Sequence, residues 1–279
     1  MKEGDRGESV GSPALGELRS EPESGRIAVI APGRAKRPGA ARAALDPPTA
    51  EELETCPFCP GHEHMTPPQT LVLPEDGDWR MRVVPNLYPA LERQEVVVHS
   101  RRHVRSLAEL EGDEPELVAE AWRRRAASGP GYVHALVNEG REAGSSLPHS
   151  HSQLVWLPAP PSPHARPRLE QFHTGNGLVA GCPWASRLPY ETVIAPAEPD
   201  PLGLQSGLLA PALRLLVEIV GQLHTVEGPV PLNAWVEHDD RDWRLVLLPR
   251  LTILAGLELG AGIFVNTLPP DEAAERLRL

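Results

Sequence analysis

The chain lacks any run approaching the roughly 18 uninterrupted apolar residues of a membrane-spanning helix, although 41% of its 279 residues are hydrophobic, enough to build a core. It also lacks an excess of positive charge. Asp and Glu number 38 against 27 Lys and Arg, a formal net charge of −11. A dedicated nucleic-acid binder neutralises phosphates with a basic surface, so neither a nucleic acid nor a membrane is expected as a partner. Cysteine is scarce as well: Cys56, Cys59 and Cys182 are too few and too unevenly placed for a disulfide framework. The N-terminus, MKEGDRGESVGSPALGELRSEPESGR, has no apolar stretch of a secretory signal. Its Gly, Ser, Pro and Glu content predicts a disordered tail over residues 1–25 of a cytoplasmic protein.

Proline (32) and glycine (24) are abundant, a fifth of the chain, which predicts long, stiff loops without reaching the roughly 25–30% that marks disorder. Between the loops an order emerges. Leu71 to Leu73, Met81 to Val84 and Glu95 to Val98 are β-rich, with PNLYP (Pro85 to Pro89) forcing a turn before the last. Residues 114–128 predict a helix whose apolar face is Leu117, Val118, Ala121, Trp122 and Ala126, with Arg123 to Arg125 largely solvated on the other side. Strands return at Tyr132 to Val137 and His151 to Leu157.

After a proline-rich linker, Pro158 to Pro167, the pattern repeats. CPWASRLPYETVIAP reads as strand, turn and strand; Leu208 to Val226 as an apolar-periodic helix; Leu232 to Val236 and Trp243 to Leu248 as closing strands. The simplest account is an α+β fold of tandem duplicated units, antiparallel sheets with packed helices, divided into 26–165 and 166–279. The copies differ where it matters. The first presents His149, Ser150, His151, Ser152 and Gln153 on its last strand, and the second Asp242, Trp243, Arg244, Leu245 and Val246. Chemistry is therefore expected in the first copy.

On a strand, residues two apart share a face, so His149, His151 and Gln153 place two imidazoles and an amide in a row. Gly144 to Pro148, just before them, leaves room for backbone to approach a ligand. The C-x-x-C pair, stiffened by Pro57 and Pro60, can occupy two corners of a zinc tetrahedron. No second C-x-x-C exists, so the remaining ligands must be imidazoles, and His62, His64, His99, His103, His149 and His151 are all candidates. His164, His173, His224 and His238 have no such pattern and are expected at the surface, and Cys182 as a buried apolar residue.

Seven motifs in order, APGRAKRP, CPFCPGHEHMTPP, RVVPNLYPAL, RRHVRSLAEL, VNEGREAGSSLPHSHSQ, CPWASRLPYE and RLTILAGLELGAG, resemble the galactose-1-phosphate uridylyltransferase family of the histidine-triad superfamily. The resemblance runs from Arg26 to the C-terminus. It implies a structural zinc held by Cys56, Cys59, His103 and His149, a nucleophile at His151, and a phosphate-holding amide at Gln153. It further implies phosphate ligands at Arg34 and Arg37, nucleotide-side positions at Asn86, Asn138 and Ser146, and a sugar contact at Glu258. The expected activity is transfer of UMP between UDP-glucose and galactose 1-phosphate through a uridylyl-histidine. Its rivals are a nucleotide-sugar or dinucleoside-polyphosphate phosphorylase or adenylyltransferase, and a zinc-stapled binding protein with a vestigial site. Because the family often forms dimers, a second copy of the chain is a candidate partner. Three positions depart from the family. Ser150 replaces its usual proline, His62 an asparagine beside the cysteines, and Trp243 to Val246 lacks the ligands of the family's second metal site, so only one metal is expected.

Overall fold

A computed structural model of the chain describes residues 16–21, 25–33, 47–161 and 165–279. Arg34, Arg37 and His164 lie outside the described residues. A small sheet joins β1 (Glu17–Glu21), β2 (Arg26–Ile30) and the late strand β13 (Ile263–Asn266), which pairs in parallel with β2. The short helix α1 (Ala50–Thr55) leads into the first cysteine pair.

The first repeat comprises β3 (Leu71–Leu73), β4 (Met81–Pro85), β5 (Gln94–Val98), α2 (Glu114–Ala126), β6 (Tyr132–Glu139) and β7 (His151–Leu157). The second comprises β8 (Leu169–Gly175), β9 (Leu178–Pro183), β10 (Thr192–Pro196), α3 (Leu209–Glu227), β11 (Leu232–His238) and β12 (Trp243–Pro249). All ten strands form one antiparallel sheet, in the order β3-β4-β5-β7-β6-β11-β12-β10-β9-β8. Read outward from the β6–β11 seam the two halves have the same order, so the duplication is a two-fold in which Leu136 stands opposite Trp235. The helices α4 (Gly256–Ala261) and α5 (Pro270–Arg276) complete the chain.

Both long helices pack on one face of the sheet. Val118, Ala121 and Trp122 of α2 and Leu213, Leu216, Ile219 and Leu223 of α3 join a continuous core with Val97, Leu154, Leu245 and Leu247. By length and composition α3 could cross a membrane, but its apolar face is consumed in this core and Arg214 pairs with Glu116 of α2. Covering one face leaves the other for chemistry. Strand alternation sends Ser152, Leu154 and Trp156 toward the helices, so His151 and Gln153 point to the open side.

Three expectations need correction. Residues 17–21, expected within a disordered tail, form β1: Arg19 donates to the Trp184 carbonyl at 2.8 Å, and the buried Glu21 accepts the Arg168 amide at 3.0 Å. A polar segment is ordered here by edge pairing and two anchored side chains, which composition does not register. Arg125 is not part of a solvated face; it grips the buried Glu95 carboxylate with two hydrogen bonds of 2.7 Å. His238 is not a surface histidine either. It stacks on Tyr132 with ring centroids 4.2 Å apart and bonds the Val133 carbonyl at 3.0 Å. Cys182 is buried, as expected.

Glu139, at the end of β6, is buried and accepts the Leu107 amide at 2.7 Å. Burial outweighs this bond and pushes its carboxyl up to about 7. The sign follows directly. The folded state holds the proton more tightly than the unfolded chain, so stability is fully present below pH 4.5 and lost as pH rises through about 7. Glu139→Gln, which mimics the protonated acid, is expected to raise the melting temperature at pH 8 and leave it unchanged at pH 4, as measured by thermal unfolding at the two pH values.

Candidate functional site

The cysteine pair owes its place to α1. Thr49 caps this helix by accepting the Glu52 amide at 3.1 Å, and the chain leaves it at Cys56 to turn back, with the Cys59 amide 3.4 Å from the Cys56 carbonyl. The turn delivers both thiols to the start of β7. The ligand atoms of Cys56, Cys59, His103 and His149 all lie within 4.8 Å of one another. His149 Nδ1 is 3.5 Å from Cys56 Sγ and 3.8 Å from Cys59 Sγ, and His103 Nδ1 is 3.1 Å from Cys59 Sγ.

This cluster can hold a metal ion. The far nitrogen of each imidazole is engaged, His149 Nε2 with the Ser100 carbonyl at 3.0 Å and His103 Nε2 with Glu52 Oε1 at 2.9 Å. With the Nε2 protons so committed, both Nδ1 lone pairs face the thiols, as outer partners of metal-binding histidines arrange. Burial and the neighbouring Cys56 push the Cys59 thiol up to about 12, so only a cation would make two adjacent thiolates stable. Two thiolates and two imidazoles with no position left for water match a closed tetrahedral centre. The other candidate histidines lie outside this cluster: His62 Nδ1 bonds the Cys56 carbonyl at 2.7 Å, His99 Nδ1 bonds Ser150 Oγ at 2.9 Å, and His64 is exposed.

His151 is 6% exposed and packs edge-on against Phe58, ring centroids 5.3 Å apart. Its Nδ1–H donates to the His149 carbonyl at 2.7 Å, which leaves the lone pair on Nε2, an atom with no hydrogen bond among the described residues. Burial lowers its pKa, favouring the neutral ring. Asn138, Ser145 and Pro148 line a small cavity beside it.

Gln153 is oriented by a residue that motif spacing did not reveal. The Ala90 amide donates to Gln94 Oε1 at 2.8 Å, so the Gln94 amino group faces Gln153 and donates to its Oε1. The Gln153 amino group is thereby turned outward as a donor. The only signal for Gln94 was its polarity at the head of a strand that ends in three valines.

The remaining residues divide. Asn138 shares the cavity of His151 and accepts from Asn233 at 2.8 Å, and Asn86 shapes the PNLYP turn by accepting the Tyr88 amide at 2.9 Å. Ser146 is exposed on the loop leading to His149. Glu258 accepts the Ala255 amide at 2.9 Å, capping α4, which packs on β13.

Residues 87–159 match the sequence model of the galactose-1-phosphate uridyl transferase N-terminal domain. The chain is a relative of the galactose-1-phosphate uridylyltransferases. A uridylyltransferase of this name from Thermotoga maritima is 24% identical over 337 residues, spanning 94% of this chain and 98% of its own. An ADP-glucose phosphorylase from Arabidopsis thaliana is 25% identical over 335 residues, spanning 94% of this chain and 92% of its own. The fold agrees with that of an Arabidopsis ADP-glucose phosphorylase crystallised with ADP-glucose, at a TM-score of 0.80 and 23% identity, covering 94% of this chain and 98% of that one. The segment matched by the uridyl transferase domain contains His103, His149, His151 and Gln153.

Two outcomes test this geometry. Glu52→Ala should lower metal affinity about 10–100-fold in a chelator competition by freeing the His103 ring, whereas Cys59→Ser should abolish stoichiometric binding. Gln94→Leu should slow nucleotidyl transfer about 10-fold, the loss of one orienting hydrogen bond, with the metal content unchanged by elemental analysis.

Proposed function

We propose that this nucleotidyltransferase-type enzyme moves a nucleotidyl group from a nucleotide sugar to an acceptor phosphate in two displacements, through a covalent intermediate on His151. The observation that carries this reading is the Nδ1–H bond of His151 to the His149 carbonyl, which commits one nitrogen and leaves the other as a nucleophile. In the first step the Nε2 lone pair attacks the α-phosphorus. The N–P bond forms as the bond to the bridging oxygen breaks, and the sugar 1-phosphate departs with that electron pair. The ring becomes cationic, and the His149 carbonyl stabilises it through Nδ1–H. In the second step an oxygen of the acceptor phosphate attacks the same phosphorus and the N–P bond breaks, regenerating neutral His151.

Charge on the phosphoryl oxygens must be met by donors already in place. The outward amino group of Gln153 is one, and the Ser146 hydroxyl precedes it on the entry loop. Arg34 and Arg37 are assigned the same duty by their motif. Zn2+ held by Cys56, Cys59, His103 and His149 would serve as a fixed cross-link two residues from the nucleophile.

Two donor and acceptor pairs suit this chemistry. UDP-glucose with galactose 1-phosphate is supported by the family match over residues 87–159 and the Thermotoga relative. ADP-glucose with inorganic phosphate is supported by the phosphorylase alignment across 94% of the chain. Either substrate leaves its signature on the protein. Intact mass spectrometry after exposure to UDP-glucose or ADP-glucose without acceptor should show one added UMP or AMP, absent in His151→Ala at unchanged metal content. An adduct that persists in His151→Ala would overturn the mechanism.

A further inference from the structure

A second cavity, of about 300 Å³, is walled by residues of the second repeat together with Tyr132 and His134 of β6. Gln153 pairs with Leu136 as Val246 pairs with Trp235, so the two-fold of the sheet carries His151 onto Arg244 and His149 onto Asp242. The cavity is thus the counterpart of the first repeat's site. Tyr132, His134, Arg187, Trp235, Glu237 and Arg244 form much of its wall. At the place of His151 stands Arg244, which cannot act as a nucleophile.

Arg187, Arg244, Glu237 and Asp242 in this wall are already matched. Arg244 donates from Nε to Glu237 at 2.6 Å and from Nη1 to the Ala165 carbonyl at 2.7 Å, and its Nη2 lies 2.5 Å from the same Glu237 carboxylate. Arg187 is held by Glu191 at 2.7 and 2.9 Å, and Asp242 by two bonds from Arg166. A phosphate would need an uncommitted cation, and a metal ion an uncommitted carboxylate set. What the cavity offers instead is aromatic surface edged with fixed polar groups. Trp235 lies under the Arg187 guanidinium at 5.3 Å and donates from its indole to Glu237 at 2.8 Å, while Tyr132 is braced by His238. His134 adds a buried Nδ1 without a hydrogen-bond partner. Flat rings set beside fixed polar groups and an unpartnered imidazole nitrogen suit the C–H faces and hydroxyls of a pyranose.

We propose that this cavity is a second ligand site, for a neutral hexose or hexosyl unit. The assignment stands independently of His151. Calorimetric titration of the full chain with glucose, galactose, maltose and, separately, inorganic phosphate tests it. Saturable millimolar binding of at least one sugar is expected, retained in His151→Ala. Binding should be weakened roughly 10-fold or more by His134→Phe, which removes the unpartnered Nδ1 along with Nε2, or by Trp235→Leu, each checked for folding by its melting temperature. The proposal is overturned if no sugar binds, if His151→Ala abolishes the binding, if neither folded variant weakens it, or if phosphate alone binds and His134→Phe weakens that binding.

Discussion

Everything at the reactive end of the molecule depends on His149. Its ring faces the two thiols through Nδ1, its Nε2 is tied to the Ser100 carbonyl, and its own carbonyl accepts the Nδ1–H of His151. One residue therefore links the cluster that could hold a metal to the tautomer of His151, the proposed nucleophile. A metal pinned there would have no open position for substrate; its part would be to hold a strand end still, where an error of an ångström in the attacking nitrogen would be costly.

Ser150, between the two histidines, faces the other way and closes the arrangement from behind. Its hydroxyl meets His99 Nδ1 at 2.9 Å and its amide donates to the Val104 carbonyl at 2.7 Å. Next along the strand, Ser152 accepts the Trp122 indole from α2 at 2.8 Å. Alternation of the strand thus gives one face to chemistry and the other to the core, and polar residues fasten the seam between them. The second repeat uses the same sheet geometry with Arg244 at the place of His151, and satisfies it with the Glu237 carboxylate and the Ala165 carbonyl.

Much of this was legible in the chain. The strand and helix periods are strong because the core-facing positions of α2, α3, β6 and β7 are almost uniformly apolar, and the spacing of His149, His151 and Gln153 states which side chains share a face. Other features were not legible for identifiable reasons. β1 is built from polar residues that are ordered by pairing with β2, and Arg125 is drawn inward by Glu95, thirty residues earlier in sequence. Gln94 acts through a backbone amide and another amide side chain, a three-body relation with no spacing rule.

The sequence by itself determined the duplicated α+β plan, the surviving histidine row in one copy, and the set of imidazoles from which metal ligands could be drawn, because these follow from periodicity and residue type. Only the tertiary structure decided which imidazoles meet the cysteines, which nitrogen of His151 is committed to a carbonyl, and that Glu258 accepts an amide at the start of its own helix. Ligand selection and tautomer are settled by hydrogen bonds between segments far apart in the chain, and such bonds exist only once the sheet has brought those segments together.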